Sequence, residues 1–365
     1  MVICRCANLL GAIATTDGGY TAPYATKKSS SNVRSGFMAD QSNYYEKFLI
    51  LIPVYEDWKA LHLLLPLLDQ ELSNHAFRAD ILIVDDGSSE FNYLPEEQKC
   101  FHSIQTIEIL SLRRNVGHQR AIAVGLSYLE ANQLCHPVVV MDCDGEDNPS
   151  DVPRLIAECS AHEDQKIIFA ARTRRSESLS FKTFYHLYRL IHFLLTGVQV
   201  QVGNFSVIPA RVLRRLVAVS ELWNHYAAAV YKAKLPMALI PAQRNCRLEG
   251  SSRMSLVALV VHGLSAMAVF GDRIGVRLLI LVSIGMSLVS VALITVVGIR
   301  LLTTLAIPGW ATYVTGILLV ILIQMLMIVL VFAFVILTSR NTVSIIPSRD
   351  YVHIADAVRR IYDSK

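Results

Sequence analysis

The sequence predicts an α/β domain built on a parallel sheet, followed by a pair of membrane-crossing helices. Three observations predict it. Short apolar runs of strand length alternate with stretches of helical periodicity between Phe48 and Ala170, the pattern of a doubly wound sheet. Polar clusters rich in carboxylates follow those runs directly, where ligands bind in such sheets. Two uncharged stretches, Leu278–Ile299 and Leu301–Ser339, come late in the chain, the second broken by Pro308-Gly309-Trp310; a spanning helix needs about 20 apolar residues.

Residues 1–44 are rich in Ser, Thr, Gly and Ala and are expected to form a disordered leader, with Met38 as an alternative start. No cleavable signal is evident in the short run Asn8–Ala14. The α/β domain is expected over residues 45–250. Phe48–Val54 is a continuous apolar run of the kind a strand buried on both faces requires. Similar runs recur at Ile81–Val84, Ile107–Leu110, Val138–Met141 and Lys166–Ala170. Between them lie helical patterns at Trp58–Leu72, Gln119–Glu130 and Asp151–Cys159. Ser150 is positioned to cap the last of these, and Pro153 falls in its tolerant first turn.

The 365 residues carry 34 Lys+Arg against 30 Asp+Glu, a formal charge of only +4, which argues against nucleic acid as a partner. Charged residues make up 18% and hydrophobic ones 53%, against roughly 25% charged in an average soluble protein. That surplus excludes a disordered or collagen-like chain. The seven cysteines are odd in number and scattered, so they read as free thiols of a reducing compartment.

The surplus apolarity predicts one span near 278–299 and a second near 313–337, within a hairpin over residues 277–339. The alternative is a hairpin buried in a soluble core, although soluble helices of this length normally carry a polar stripe. Arg273 and Arg277 precede the first span, and Arg340, Arg349, Arg359 and Arg360 follow the second, while the connecting turn holds Arg300. The positive-inside rule then places the α/β domain and a tail over residues 340–365 in the cytoplasm, on a multi-pass inner-membrane protein. Gly285 and Gly298 on the first span would permit close helix contact in a homo-oligomer.

The residues after the strands carry the chemistry. They are Pro53-Val54-Tyr55-Glu56, then Asp85-Asp86-Gly87-Ser88-Ser89, then Arg113-Arg114-Asn115-Val116-Gly117-His118-Gln119, then Asp142-Cys143-Asp144-Gly145-Glu146-Asp147. Four carboxylates within the six residues 142–147 repel one another unless a cation intervenes. An oxygen-ligand site for Mg²⁺ or Mn²⁺ bridging to a diphosphate resolves that repulsion; a solvated acidic turn is the alternative.

In combination these motifs resemble the family 2 glycosyltransferases with the type A fold. More narrowly, the chain looks like the polyprenyl-phosphate glycosyltransferases, relatives of dolichyl-phosphate mannose synthase and of bacterial undecaprenyl-phosphate sugar transferases. The narrower match rests on Arg114, Asn115, Gly117, His118 and Gln119, on Glu146-Asp147-Asn148-Pro149, and on the two terminal spans. The resemblance implies a nucleotide-sugar pocket lined by Pro53, Tyr55, Glu56, Asp85, Asp86, Arg114, Gln119 and Asp142. It implies a divalent ion held by Asp142, Asp144 and Glu146, the last standing where the family has glutamine. The implied product is a membrane-bound sugar donor for envelope decoration.

A hydroxyl acceptor needs a general base, whereas a lipid phosphate is already anionic and needs cations instead. Arg172, Arg174, Arg175, Lys182 and Arg189 follow the fifth strand, and Leu179–Leu195 has the composition of a helix lying in the bilayer interface or of an amphipathic core helix. Residues 251–276 form a second expected interfacial helix, entered through Gly250-Ser-Ser-Arg-Met-Ser255, which resembles the family's Gly-x-Ser-Lys segment. The expected catalytic groups are Asp144, Arg172 and Arg253, with Arg174, Arg175, Lys182 and Arg247 receiving the acceptor phosphate. Relatives often show Gly-Asp-Phe-Arg where this chain has Gly203-Asn204-Phe205-Ser206, and an amide cannot act as a base. Should the acceptor be a hydroxyl, Glu221 is the expected base.

Overall fold

A computed structural model of the chain describes residues 47–89, 100–132, 136–172, 189–198, 202–250, 256–304, 309–341 and 344–364. The expected leader, Arg174, Arg175, Lys182, Arg253 and the first part of the interfacial segment lie outside the described residues, as does the side chain of Arg172.

Among the described residues, eight strands form one sheet: β1 (Lys47–Val54), β2 (Arg78–Asp85), β3 (Ile104–Leu112), β4 (Val138–Val140), β5 (Ile167–Arg172), β6 (Ser206–Ile208), β7 (Met237–Ala242) and β8 (Ala355–Asp363). Their spatial order is β7-β5-β6-β4-β1-β2-β3-β8. All five strands expected from apolar runs are present, each within a few residues of its expected limits. Parallel pairing runs through β4, β1, β2 and β3 and joins β5 to β7. The sheet as a whole is mixed, because β6 pairs antiparallel with β4 and β5, and β8 pairs antiparallel with β3.

The apolar runs are continuous because both faces of each strand are covered. Phe48, Ile50, Ile52 and Val54 face one core with α1 (Trp58–Asn74) and α3 (Asp151–Ala161). Leu49 and Leu51 face the opposite core with α2 (His118–Asn132). Period-two alternation thus feeds two cores at once. Ser150 occupies the N-cap position of α3 without a side-chain cap bond; Asn148 Oδ1 accepts from the Ser150 amide at 3.1 Å instead.

The described residues 344–364 of the expected tail are folded onto the domain. They return through a short helix, Pro347–Asp350, to the sheet as β8, where Arg360 pairs with Glu108 at 2.9 Å and Tyr362 packs edge-on against Phe101. The charges of Asp356, Arg359 and Arg360 disguise this strand as a tail, but an edge strand exposes half of its side chains.

The helices Gly271–Leu302 and Trp310–Asn341 are long and apolar enough to cross a bilayer. They pack side by side, with Gly275 against Ile336 and Gly285 against Met325. Gly285 therefore serves contact within the chain. Their outward faces are bare: Ile294 and Phe334 are each 70% exposed. The helix Leu256–Ala268 leads into the first of them, burying Ala266, with Val269 and Phe270 beyond its end, against Ala228 while leaving Val260, Val261 and Leu264 exposed. Helical residues 189–196 likewise bury His192 and Thr196 and expose Leu190, Ile191, Phe193 and Leu194. Arg277 ties the two parts together by donating to the Leu194 carbonyl at 2.7 Å.

Candidate active site

The order of strands reverses between β1 and β4, and a crevice opens at such a switch point beyond the carboxyl ends of the strands. The loops after β1, β2, β3 and β4 meet there. Glu56 turns the chain after β1 with a left-handed φ of 52°, its amide donating to Ser88 Oγ at 3.0 Å. Ser89 donates its amide back to Glu56 Oε1 at 2.6 Å. Tyr55, beside it, is half-exposed, and Pro53 is buried in the β1–β2 register opposite Val84.

Asp85 and Asp86 play different parts. Asp85 is buried; Oδ1 accepts from the Ser88 amide at 3.1 Å, while Oδ2 has no hydrogen-bond partner. Burial pushes its pKa up, against the pull of Ser88. Asp86 accepts from the amides of Val116 at 2.7 Å and Gly117 at 2.9 Å, so both oxygens tie the β2 loop to the β3 loop. Burial raises its pKa too, with those two amides opposing. Gly87 between Asp86 and Ser88 has φ +75°, and a Cβ there would lie 2.7 Å from the Asn115 nitrogen. Tyr55, Glu56, Asp85 and Asp86, expected to line a nucleotide, thus come from adjoining loops, and Asp86 also braces them.

Gln119 is turned inward. Its amide donates to Asn204 Oδ1 at 3.0 Å and its carbonyl accepts from the Tyr226 amide at 2.8 Å. Arg114 stays exposed beside Asn115. His118, at the start of α2, reaches Asp142 Oδ1 at 3.1 Å and Asn204 Nδ2 at 2.9 Å. Burial opposes its protonation, yet Asp142, Asp147 and Asp86 outweigh it and raise its pKa.

The carboxylates after β4 are each engaged. Asp142 donates its amide to Asp147 at 3.0 Å and faces His118 with its own carboxylate. Asp144 accepts from the Glu146 amide at 3.0 Å and lies 3.5 Å from Arg247. Its pKa is raised, first by burial and next by the charge of Asp142, with Arg247 and Arg244 opposing. Glu146 is ion-paired with Arg244. Arg247 also pairs with Asp57. Arg247, expected on the acceptor side, therefore sits beside Asp144, an expected metal ligand. Arg244 and Asp57 went unread in the sequence; looking for a countercharge to Glu146 near Arg247 is the signal that finds Arg244.

Asp142 and Asp144 fit a hard divalent cation, since both offer oxygen and their mutual repulsion in a half-buried loop disfavours the ionised pair. Mg²⁺ and its like usually take one or two protein carboxylates and complete their shell with phosphate and water. Accordingly, no group of three His, Cys, Asp or Glu side chains converges as a metal cage among the described residues. Glu146, turned to Arg244, fits that shell less well than the two aspartates.

Glu221 stands apart from this cluster among its own partners: Lys232 at 2.8 Å, which in turn lies 3.7 Å from Asp272 on the first long helix. Burial opposes its ionisation, but the Lys232 hydrogen bond and charge lower its pKa overall. His225 accepts from the Ala228 amide at 3.4 Å and caps the helix Tyr226–Lys232. A larger surface hollow, lined by Pro66, Asp69, Cys100 and His102, lies at the amino-terminal end of β3, away from these loops.

Residues 49–219 match the family model described as Glycosyl transferase family 2. An uncharacterized glycosyltransferase, YkcC, of Bacillus subtilis is 24% identical over 274 residues, covering 73% of this chain and 82% of the relative. The undecaprenyl-phosphate 4-deoxy-4-formamido-L-arabinose transferase of Klebsiella pneumoniae is 28% identical over 138 residues, 38% of this chain and 40% of that enzyme. Among solved structures, mannosyl-3-phosphoglycerate synthase of Rubrobacter xylanophilus is 14% identical with a TM-score of 0.44, covering 62% of this chain and 73% of that one. The matched span runs from β1 through β6 and contains both aspartate loops; residues 49–219 are a family 2 glycosyltransferase domain, and the chain is a glycosyltransferase.

Proposed function

We propose that the chain transfers a sugar, with inversion, from a nucleotide diphosphate to a polyprenyl phosphate at the cytoplasmic face of the membrane. The observation that carries this reading is the pairing of half-buried aspartates with Arg247 at the carboxyl end of β4, near Asn204, an amide where relatives often carry aspartate. A divalent cation held by Asp142 and Asp144 would supply neutralisation of the leaving diphosphate. Asp85, with one oxygen free, is suited to the nucleoside, and Asp86 holds the two loops around it. Asn204 and His118 flank Asp142 on the side where the sugar would lie. Neither amide nor cation-paired carboxylate takes a proton readily, which suits an acceptor that arrives as an anion. The Klebsiella relative, named for transfer to undecaprenyl phosphate, supports the same acceptor class.

The membrane reading draws support from the two bare apolar helices and from the exposed leucines and phenylalanine of 189–196. Those flank the domain where an acceptor headgroup would arrive, and Arg172, Arg174, Arg175, Lys182 and Arg253 remain the proposed cations for it. A hydroxyl acceptor with Glu221 as base is less suited, because a glutamate held ionised by Lys232 is a weak base.

The test is a transfer assay with purified full-length protein, Mg²⁺ or Mn²⁺, labelled nucleotide sugars, and either undecaprenyl phosphate or diacylglycerol and ceramide. Label is expected in an acid-labile phospholipid, abolished by Asp144→Asn and kept near wild-type rate by Glu221→Ala. Label confined to neutral glycolipid would reject the acceptor.

A further inference from the structure

The segment 243–249 lies across the aspartate loop, pinned at four points. The Asn245 amide donates to the Glu146 carbonyl at 3.0 Å and the Leu248 amide to the Asp144 carbonyl at 2.9 Å. Arg244 pairs with Glu146. Leu248 covers Gly145, whose φ of +78° admits no ordinary side chain and whose Cβ would lie 2.4 Å from Leu248 Cγ. Backbone on both sides of Arg247 is therefore fixed to the loop that carries Asp142 and Asp144.

The Arg247 side chain, by contrast, is held only by charges and one carbonyl. It pairs with Asp57, lies 3.5 Å from Asp144, and donates from Nε to the Glu249 carbonyl at 3.0 Å. Arg247, Asp57 and Asp144 are 17%, 15% and 15% exposed, so the two carboxylates would be left poorly compensated without it. The guanidinium thus faces Asp144 Oδ2, an oxygen that a metal ion on Asp144 would compete for, and two cations drawn to one carboxylate in a half-buried site repel each other. A bound diphosphate offers the guanidinium a better partner, since arginine takes phosphate oxygens in bidentate fashion.

We propose that Arg247 is the resting counter-ion of Asp57 and Asp144, and that it yields Asp144 to the divalent cation as the donor binds, turning onto the donor's diphosphate. This rests on the metal and nucleotide-sugar reading given above. The exchange is a side-chain rotation, because the flanking backbone stays bonded to Asp144 and Glu146. Arg244 and Glu146 act as positioning residues that keep the segment in place, which also leaves the cation two aspartates rather than three carboxylates.

Two affinities of the full-length protein in detergent test it: Mn²⁺ alone, from the electron paramagnetic resonance of the free ion, and UDP, GDP, CDP or dTDP at saturating Mn²⁺, from calorimetry. Arg247→Gln should bind Mn²⁺ alone roughly tenfold more tightly, the competitor being gone, and the nucleoside diphosphate roughly tenfold more weakly, each about 1.4 kcal/mol. A residue that merely shaped the loop would lose both affinities. If the glutamine variant does not melt cooperatively, Arg247→Lys should move both in the same opposed directions by about threefold. Unchanged or weaker Mn²⁺ binding in a folded variant that still binds nucleotide overturns the exchange. A wild-type protein that binds none of the four nucleotides with Mn²⁺ overturns the donor reading beneath it.

Discussion

Asp86 gives both carboxylate oxygens to backbone amides of Val116 and Gly117, so its removal would leave one buried and one half-buried donor unsatisfied. Asp86→Ala should destabilise the domain by about 2 kcal/mol or more, read as a lower melting temperature of the full-length protein, with Asp86→Asn milder. Its motif neighbour Asp85 should behave differently, losing nucleotide affinity with a smaller change in melting. His225 is a second residue whose role is structural. Burial first, then the neighbouring His262, lowers its pKa to about 3, and the neutral ring accepts the Ala228 amide. A histidine depressed in the fold contributes stability that is complete above its ordinary value of 6.5 and lost as pH falls towards 3. His225→Asn, which keeps a capping oxygen, should therefore flatten the loss of melting temperature between roughly pH 7 and 5 relative to wild type.

At the scale of elements, each strand of the parallel core carries two alternating sets of apolar side chains, and this double burial is what holds the aspartate loops in register. The β8 strand has another task. It covers the edge of β3 with nine residues, anchored by Tyr362 on Phe101 and by Arg360 on Glu108. An uncovered parallel strand presents a row of unpaired amides and carbonyls to other chains. A chain ending at Ile354 should accordingly melt lower and form concentration-dependent aggregates in size-exclusion chromatography.

For the whole molecule, the return of the chain to its own sheet fixes a hairpin. The strands β1–β7 before Gly271 and β8 after Asn341 belong to one sheet, so an even number of crossings must separate them if the long helices span a bilayer. This argument is independent of the arginine count that suggests the same orientation. In sealed vesicles, a membrane-impermeant maleimide should reach the exposed Cys100 and Cys246 from the side on which a C-terminal tag is accessible. A cysteine introduced by Thr304→Cys, in the turn between the helices, should react only from the other side.

Local pattern alone determined five strands, three helices, two spans and the loops that gather at the switch point, because each is written in a contiguous run of side chains. Tertiary structure decided the rest. A strand as short as Ser206–Ile208 has no periodicity of its own and exists through its pairing with β4 and β5. The pairing of Arg247 with Asp57 joins residues 190 positions apart, and that of Arg360 with Glu108 joins residues 252 apart. Charge carries no address in sequence, so which arginine neutralises which carboxylate emerges only once the backbone has brought them within a few ångströms and excluded the water that would otherwise screen them.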